Sequence, residues 1–292
     1  MRLYSDYLKE KYGCKVYKIG LDAGFSCPAR CAYCNGNGSR SPYTGPKDSV
    51  GKQLSARIEY LKKTKGAAKF IAYFQAFTNT YAPPDKLKKI YDEVLPFKEI
   101  VGISIGTRPD AVDREKLELI ASYKDRYEVW IEYGLQSVHD RTLKAIKRGH
   151  TFGDFLKAVK LARAHRIPVC AHVILGLPGE TKEDMLETAK KIKELKIEGI
   201  KIHLLHILKG SAFEKLYAEG HIKLLGQDEY VDLVYSFLEN LHPDIIVERL
   251  TGQGAGRDHI APAWALDKMG TINKIKERIR RGGLNLPYEF PL

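Results

Sequence analysis

Three cysteines within eight residues are the part of this sequence best suited to chemistry. Three residues separate Cys27 from Cys31, and two separate Cys31 from Cys34. Three thiolates on one short loop can hold three irons of a cubane iron–sulfur cluster, and the fourth iron then has no protein ligand. Such an open iron can bind and activate a second molecule, so the spacing predicts redox chemistry at a cluster.

A structural zinc site is the alternative for this loop. Structural zinc takes four ligands, and no further Cys or His occurs in the hundred residues after Cys34. The two remaining cysteines, Cys14 and Cys170, are expected toward the opposite end of the fold. We interpret them as small buried hydrophobic residues, and the spacing favours a cluster over zinc.

Strand-like and helix-like segments alternate six times along the chain. Strands are predicted at residues 16–21, 70–74, 100–105, 128–134, 168–175 and 200–205, with helical segments between them. Consecutive β-α units imply an α/β fold with a parallel sheet and right-handed crossovers. We therefore expect a partial (β/α)6 TIM-like barrel over residues 1–210. Residues 211–292 would form a C-terminal helical extension packed on the barrel, within the same domain.

The composition allows two classes of partner. The 292 residues include 44% hydrophobic residues and carry a net charge of +12. Excess Lys and Arg suit an anionic partner such as nucleic acid, although a thermophile surface has a similar composition. The segment 1–11 is charged and does not resemble a signal peptide, and no apolar stretch is long enough for a membrane span. We expect a cytoplasmic protein without a membrane segment.

The cysteine spacing, with Tyr33 before the last cysteine, resembles the radical S-adenosylmethionine (SAM) superfamily. The resemblance implies that Cys27, Cys31 and Cys34 hold a [4Fe–4S] cluster whose open iron chelates SAM. Electron transfer would then cleave SAM to a 5′-deoxyadenosyl radical, which removes hydrogen from an unactivated carbon. A reductant protein of the flavodoxin or ferredoxin type is the expected electron donor.

Further motifs extend the resemblance over residues 15–210. Residues 105–110, 134–137 and 148–150 resemble motifs of the Elongator catalytic subunit, and residues 175–181 resemble a turn shared with oxygen-independent coproporphyrinogen oxidase. The family's usual Gly-Gly-Glu turn is replaced by residues 73–80. The resemblance implies SAM contacts from these residues: Tyr33, Gln75, Thr78, Asn79, Ser104, Thr107, Arg108, Gln136, Arg148 and His172.

Two of these SAM contacts have plainer alternatives. Arg148 has the forked guanidinium that suits a carboxylate, but it also fits a surface charge at the end of a basic helix. Gln136 fits a strand-end cap as well as a ribose contact. His172 stands where coproporphyrinogen oxidase has Asp, and a neutral imidazole can accept a hydrogen bond but is not a fixed anion.

Residues 20–25, 73–81, 171–176 and 249–252 resemble a bacterial group of radical SAM proteins. Some of its members are implicated in maturing the wobble-uridine side chain of tRNA. The resemblance implies tRNA as the partner and hydrogen abstraction from that side chain as the reaction. A radical SAM oxidoreductase acting on a small anionic metabolite and a non-catalytic iron–sulfur or haem carrier are the alternatives.

Candidate catalytic and substrate residues lie at the ends of the later strands. Glu132, His203 and His206 could move protons near the substrate, or they could be a buried ion pair and core histidines. The candidates for substrate binding are Lys209, Arg249, Thr251 and Arg257. Residues 141–166 carry eight basic residues against one acidic residue, and a second basic cluster occupies residues 274–281. Either cluster could contact phosphates or be a solvated helix face.

Overall fold

The computed structural model describes residues 1–36, 40–41, 43–44, 48–252, 256–284 and 286. Its main sheet has eight strands, and every neighbouring pair runs parallel. The strands are β1 (Arg2–Leu3), β2 (Val16–Leu21), β3 (Lys69–Phe74), β4 (Ile100–Thr107), β5 (Glu128–Gln136), β6 (Val169–Leu175), β7 (Gly199–Leu204) and β9 (Ile246–Arg249). A separate antiparallel pair is formed by β8 (Ile207–Leu208) and β10 (His259–Ala261).

The order across the main sheet is β1-β9-β7-β6-β5-β4-β3-β2. The sheet curls into a partial barrel, and the helices cover it from outside. These helices are α1 (Tyr4–Tyr12), α2 (Val50–Lys65), α3 (Pro84–Asp92), α4 (Arg114–Ala121), α5 (Asp140–Ala145), α6 (Phe152–Ala164), α7 (Lys182–Glu194), α8 (Ala212–Ala218), α9 (Gln227–Glu239) and α10 (Lys268–Gly282).

Local sequence signals fix where several helices begin. The Thr151 and Thr181 side chains each accept a hydrogen bond from the backbone N–H three residues later. In turn, the Asp154 and Asp184 carboxylates accept one from the backbone N–H of Thr151 and Thr181. This reciprocal cap satisfies backbone donors that have no partner inside the helix. It sets the start of α6, which precedes β6, and of α7, which follows β6.

The six predicted barrel strands are confirmed as β2 to β7, each with its ends within two residues of the prediction. The partial barrel is therefore confirmed, but the sheet is larger than six strands. β9 pairs with β7, and β1 pairs with β9, so the C-terminal part contributes a strand as well as helices. The predicted domain division at residue 210 stays a prediction.

The predicted helical C-terminal extension begins with two helices. α8 ends before Gly220, which has a φ of 77°. Such a conformation suits glycine and stops a right-handed helix. The chain restarts as α9 at Gln227. Within the described residues, no helix combines the length and the apolar character that a membrane crossing requires.

Candidate functional site

A cavity of about 580 Å³ opens at the carboxyl ends of the barrel strands, where the loops of a barrel gather. Most of the predicted site residues line it. They are Cys27, Tyr33, Cys31, Cys34, Gln75, Thr78, Thr107, Arg108, Glu132, Gln136, Arg148, His172, His203, His206 and Arg249. The described residues Asn79, Ser104, Lys209 and Thr251 do not line this cavity. The side chain of Arg257 lies outside the described part of the chain.

The cysteine loop follows β2 and is held by backbone hydrogen bonds on both sides. Ala32 N–H donates to the carbonyl of Ile146 over 2.9 Å, and Phe213 N–H donates to the carbonyl of Ala32 over 3.1 Å. The loop therefore lies between the end of α5 and the start of α8. The loop also packs against both helices, because Ala32, Ile146 and Phe213 belong to one apolar cluster.

Two hydrogen-bond donors point at the sulfur atoms of this loop. Thr78 Oγ1 donates to Cys27 Sγ over 3.1 Å, and Arg148 Nη1 donates to Cys31 Sγ over 3.4 Å. A hydrogen bond with Cys34 and the charge of Arg148 lower the pKa of Cys31 to about 5, although burial opposes this shift, while the same hydrogen bond raises the pKa of Cys34. Thiolates are the form that ligates iron, so this donor set fits an iron–sulfur cluster.

The other two cysteines do not join the loop. Burial raises the pKa of the Cys170 thiol well above its usual value, and this residue is fully buried as predicted. Cys14 is only partly buried, which differs from the prediction, because it lies on the short connection after α1.

Arg148 is buried and is not a surface charge. Its Nε and Nη2 donate to the carbonyl of Gly134 over 3.1 and 2.8 Å. A Cβ at Gly134 would lie 2.5 Å from Nη2, so only glycine allows this approach. Arg108 forms a two-point ion pair with Asp110 and also donates to the Arg148 carbonyl. Arg108 therefore orients the segment that carries Arg148 toward Cys31.

The end of β5 is strained where Gln136 enters the cavity. Gln136 has a φ of 74°, a region that non-glycine residues rarely occupy. The register with β6 shifts between Gly134 and Gln136, which marks a bulge. Strain of this kind is common where a side chain must be aimed at a ligand.

The neighbouring strand ends are joined by polar side chains. The Asn79 amide donates to the carbonyls of Phe74 and Gly106 over 3.0 and 2.8 Å. Thr80 and Thr107 share a 2.6 Å hydrogen bond between their hydroxyls. Asn79 therefore fixes the ends of β3 and β4, while Gln75 and Thr78 face the cavity.

Glu132 is fully buried at the floor of the cavity and belongs to a network of charged side chains. It accepts hydrogen bonds from Lys18 over 2.6 Å and from Lys201. Glu248 pairs with the same two lysines, at 2.6 Å from Lys18 and 3.3 Å from Lys201. Burial alone would raise the pKa of Glu132, but the charges of the two lysines outweigh it and hold that pKa well below its usual range. His172 Nε2 lies 2.7 Å from the same carboxylate.

This network makes a cation site at Glu132 unfavourable. One ligand atom each of Glu132, Cys170 and His172 lies within 4.8 Å of the others. Two lysine ammonium groups already occupy the Glu132 carboxylate, and they would repel a metal ion. Glu132 was predicted from the sequence, whereas Lys18, Lys201 and Glu248 were not. Each occurs among apolar residues within a strand, which was the available signal.

Histidines line the wall formed by β6 and β7. The ring centres of His172 and His203 are 5.5 Å apart, and those of His206 and His259 are 5.3 Å apart. Burial lowers the pKa of His203 well below its usual value and that of His206 to about 4. Both rings are therefore neutral near pH 7.

A parallel partial barrel with three cysteines on the loop after β2 defines a class of radical enzymes. The sequence model of the radical SAM superfamily matches residues 12–192, and that of the radical SAM C-terminal domain matches residues 197–281. The chain belongs to the radical SAM superfamily, whose members bind a [4Fe–4S] cluster and SAM.

Individual relatives agree with this family. The uncharacterised protein YtqA of Bacillus subtilis is 41% identical over 92% of this chain and 87% of its own length. The tRNA uridine(34) acetyltransferase of Methanocaldococcus jannaschii is 25% identical over 49% of this chain and 26% of its own length. The solved structure of Methanocaldococcus infernus Elp3, lacking its N-terminus, has a TM-score of 0.69 at 19% identity. It covers 92% of this chain and 64% of the Elp3 chain, and it shares the fold.

Proposed function

We propose that the protein is a radical SAM enzyme that abstracts hydrogen from the side chain of a tRNA wobble uridine. One electron from a flavodoxin- or ferredoxin-type protein would be consumed for each SAM cleaved. Cys27, Cys31 and Cys34 would hold the cluster. When bound, the cluster and SAM supply a 5′-deoxyadenosyl radical, which takes one hydrogen atom from a substrate carbon.

The cavity residues have separate tasks in this proposal. Arg148 and Thr78 donate to the cysteine sulfurs and so stabilise their negative charge. Gln136 on β5, His172 on β6 and Gln75 directly after β3 present polar groups to SAM. Three further residues position this set. Asn79 fixes the ends of β3 and β4, and Ser104 donates a hydrogen bond to the Glu132 carboxylate. Arg108 holds the segment that carries Arg148.

The observation that carries the tRNA proposal is the arrangement of lysines around the cysteine loop. Lys144 and Lys147 border Ile146, whose carbonyl accepts from Ala32 of that loop. On the other side, Lys209 precedes Gly210, whose carbonyl accepts from Arg30 over 2.9 Å. All three lysines are exposed, and no ion pair joins any of them to another described residue.

The second basic cluster differs, because several of its cations are in ion pairs. Lys274 pairs with Asp228 and Arg278 pairs with Asp232, each over 2.7 Å, and Arg281 pairs with Glu277. The first two of these ion pairs join α10 to α9, and the third lies within α10. Lys144, Lys147 and Lys209 therefore remain available for phosphates beside the cysteine loop, on the side where a tRNA nucleotide would enter.

The relatives support the same substrate. The tRNA uridine(34) acetyltransferase and Elp3 resemble this chain, and the first is named for an activity on the wobble uridine. The similarity to the acetyltransferase covers half of this chain. It therefore supports a shared substrate class, while the acetyl transfer itself does not carry over.

An anaerobic SAM-cleavage assay tests the proposal. The reconstituted protein would be given SAM and reductant, with and without bulk tRNA, and 5′-deoxyadenosine would be quantified. We expect tRNA to increase its formation, and nucleoside mass spectrometry to show a changed wobble uridine. Cys31→Ala should abolish cleavage, whereas Cys14→Ala is the matched control and should retain it.

Two results would contradict the proposal at different levels. If 5′-deoxyadenosine forms equally with and without tRNA, the radical SAM chemistry is supported, but the substrate is to be sought among small anionic metabolites. An intact cluster without any SAM cleavage would favour an iron–sulfur carrier.

A further inference from the structure

One wall of the cavity is formed where β7 and β9 lie side by side. Lys201 of β7 pairs in register with Arg249 of β9. Arg249 lines the cavity together with His203, His206 and Gly252. This wall is separate from the cysteine loop, which follows β2 at the other edge of the sheet order.

Arg249 differs from the other arginines that line the cavity. Arg40 pairs with Asp22, and Arg108 pairs with Asp110. Arg148 donates to Gly134 and Cys31, and Arg30 donates to the carbonyl of Gly210. Within the described residues, the Arg249 guanidinium has neither an ion pair nor a hydrogen bond. A cation in a partly buried cavity is costly unless an anion accompanies it.

Two histidines that line the same cavity as Arg249 also lack partners. His203 Nε2 and both ring nitrogens of His206 are buried and accept or donate no hydrogen bond among the described residues. A neutral imidazole has one N–H donor and one acceptor nitrogen. A Cβ at Gly252 would lie 3.0 Å from His206 Nε2, so the glycine leaves this side of the ring uncovered. The wall therefore presents a guanidinium and two imidazoles whose hydrogen-bonding capacity is unused.

Lys268 adds a second cation near Arg249. It is half-buried at the start of α10, and no ion pair joins it to another described residue. Burial and the charge of Arg249 lower the pKa of Lys268. Glu248 is adjacent in sequence, but its carboxylate pairs with Lys18 and Lys201. The wall therefore has uncompensated positive charge.

We propose that Arg249, with the ring N–H groups of His203 and His206, binds an oxyanion of the substrate, either a carboxylate or a phosphate. Guanidinium groups form two parallel hydrogen bonds with such anions. Lys268 attracts the anion to this wall. The bound anion then fixes which substrate carbon faces the cysteine side of the cavity. This inference rests on the proposed function and deepens it by naming the recognised group, but its test requires no tRNA.

Anion-dependent thermal unfolding tests the assignment. The reconstituted protein with SAM bound would be unfolded anaerobically over a series of inorganic phosphate concentrations, and separately over a series of acetate concentrations. Chloride would hold the ionic strength constant. A ligand that binds the folded state raises the unfolding temperature with its concentration. We expect a saturable rise with at least one of the two anions, and the effective anion identifies a phosphate or a carboxylate subsite.

Variants locate the binding at this wall. Arg249→Gln should weaken the apparent affinity by at least about tenfold, since a hydrogen bond to a charged group is lost. Arg249→Lys keeps the charge without the fork and should lie between wild type and Arg249→Gln. Arg114 is exposed on α4, so Arg114→Gln is the matched control and should bind like wild type.

Two outcomes would overturn the inference. One is a wild-type protein whose unfolding temperature responds to neither anion. The other is an Arg249→Gln protein that responds as wild type does. If Arg249→Gln does not fold, Arg249→Lys and His206→Gln carry the test, and unchanged affinity in both would overturn it. None of these outcomes depends on tRNA-stimulated SAM cleavage, so each can be separated from failure of the proposed function.

Discussion

Lys18 on β2 and Glu248 on β9 form a 2.6 Å ion pair although 230 residues separate them in sequence. They lie on strands near opposite edges of the sheet order. Their contact crosses the interior of the partial barrel. Glu132 and Lys201 complete the network, which therefore joins the two sides of the sheet beneath the cavity.

Removing one member of this network should be costly. We expect Lys201→Met to lower the free energy of unfolding by about 3–5 kcal/mol, because buried carboxylate charge is left uncompensated. Chemical denaturation would measure this loss. Lys201→Met combined with Glu248→Gln should recover a large part of it, since Lys18 and Glu132 still form a 2.6 Å pair. Lys88→Met is the control, because its pair with Asp92 is exposed and should contribute at most about 0.5 kcal/mol. A double variant less stable than Lys201→Met would contradict the pairing.

Thr78 should influence the electronic properties of the cluster and not its assembly. Hydrogen bonds to cluster sulfurs stabilise the reduced, more negative state. Thr78→Val removes the 3.1 Å hydrogen bond to Cys27 at nearly constant volume. We expect unchanged iron content and a more negative midpoint potential, measured by redox titration with electron paramagnetic resonance. Thr64→Val on the exposed side of α2 is the control. An unchanged potential would show that Thr78 does not act on the sulfur.

His206 should make the stability of the protein depend on pH. Burial lowers its pKa from 6.5 to about 4, so the unfolded chain binds more protons between these values. Stability contributed by neutral His206 is therefore present above pH 6.5 and is lost as the pH falls toward 4. When the pH is lowered from 7 to 5, the free energy of unfolding measured by chemical denaturation should decrease less in His206→Gln than in wild type. The two decreases should differ by an amount on the order of 1 kcal/mol. Equal pH dependence would refute the assignment.

The salt dependence of tRNA binding should distinguish the two basic clusters. Lys147→Gln should reduce the slope of log affinity against log salt by about 1, because one phosphate contact is lost. Lys274→Gln should leave the slope unchanged, since Lys274 already pairs with Asp228. Filter-binding titrations over a range of potassium chloride concentrations would measure both slopes. Equal slopes in all three proteins would place the tRNA elsewhere.

The sequence predicted the barrel well where apolar periodicity was long. The six barrel strands are buried runs bounded by turns, and such runs have a clear pattern. β1 has two residues and β9 has four, too few for periodicity to identify their place in the sheet. Their pairing depends on contacts between segments far apart in sequence, which no local pattern contains.

The candidate site was predicted best where residues are close in sequence. Cys27, Cys31 and Cys34 share one loop, so their spacing was sufficient to predict a cluster. Arg148 was harder to interpret, because a basic residue after a helix is commonly exposed. Its burial follows from the glycine at position 134, which admits the guanidinium to the strand end. Lys18, Lys201 and Glu248 were missed because a charged residue within a strand also fits a solvent-exposed face.

The parallel pairing of residues 2–3 with residues 246–247 has a consequence for synthesis of the chain. The strand that β1 pairs with is translated more than two hundred residues later. During translation, β7 therefore has an unpaired edge, and Lys18 has not yet met Glu248. Barrel strands β2 to β7 can assemble in order as they emerge, since each pairs with the strand before it. Residues 2–3, although made long before their partner strand, are among the last parts to reach their native position.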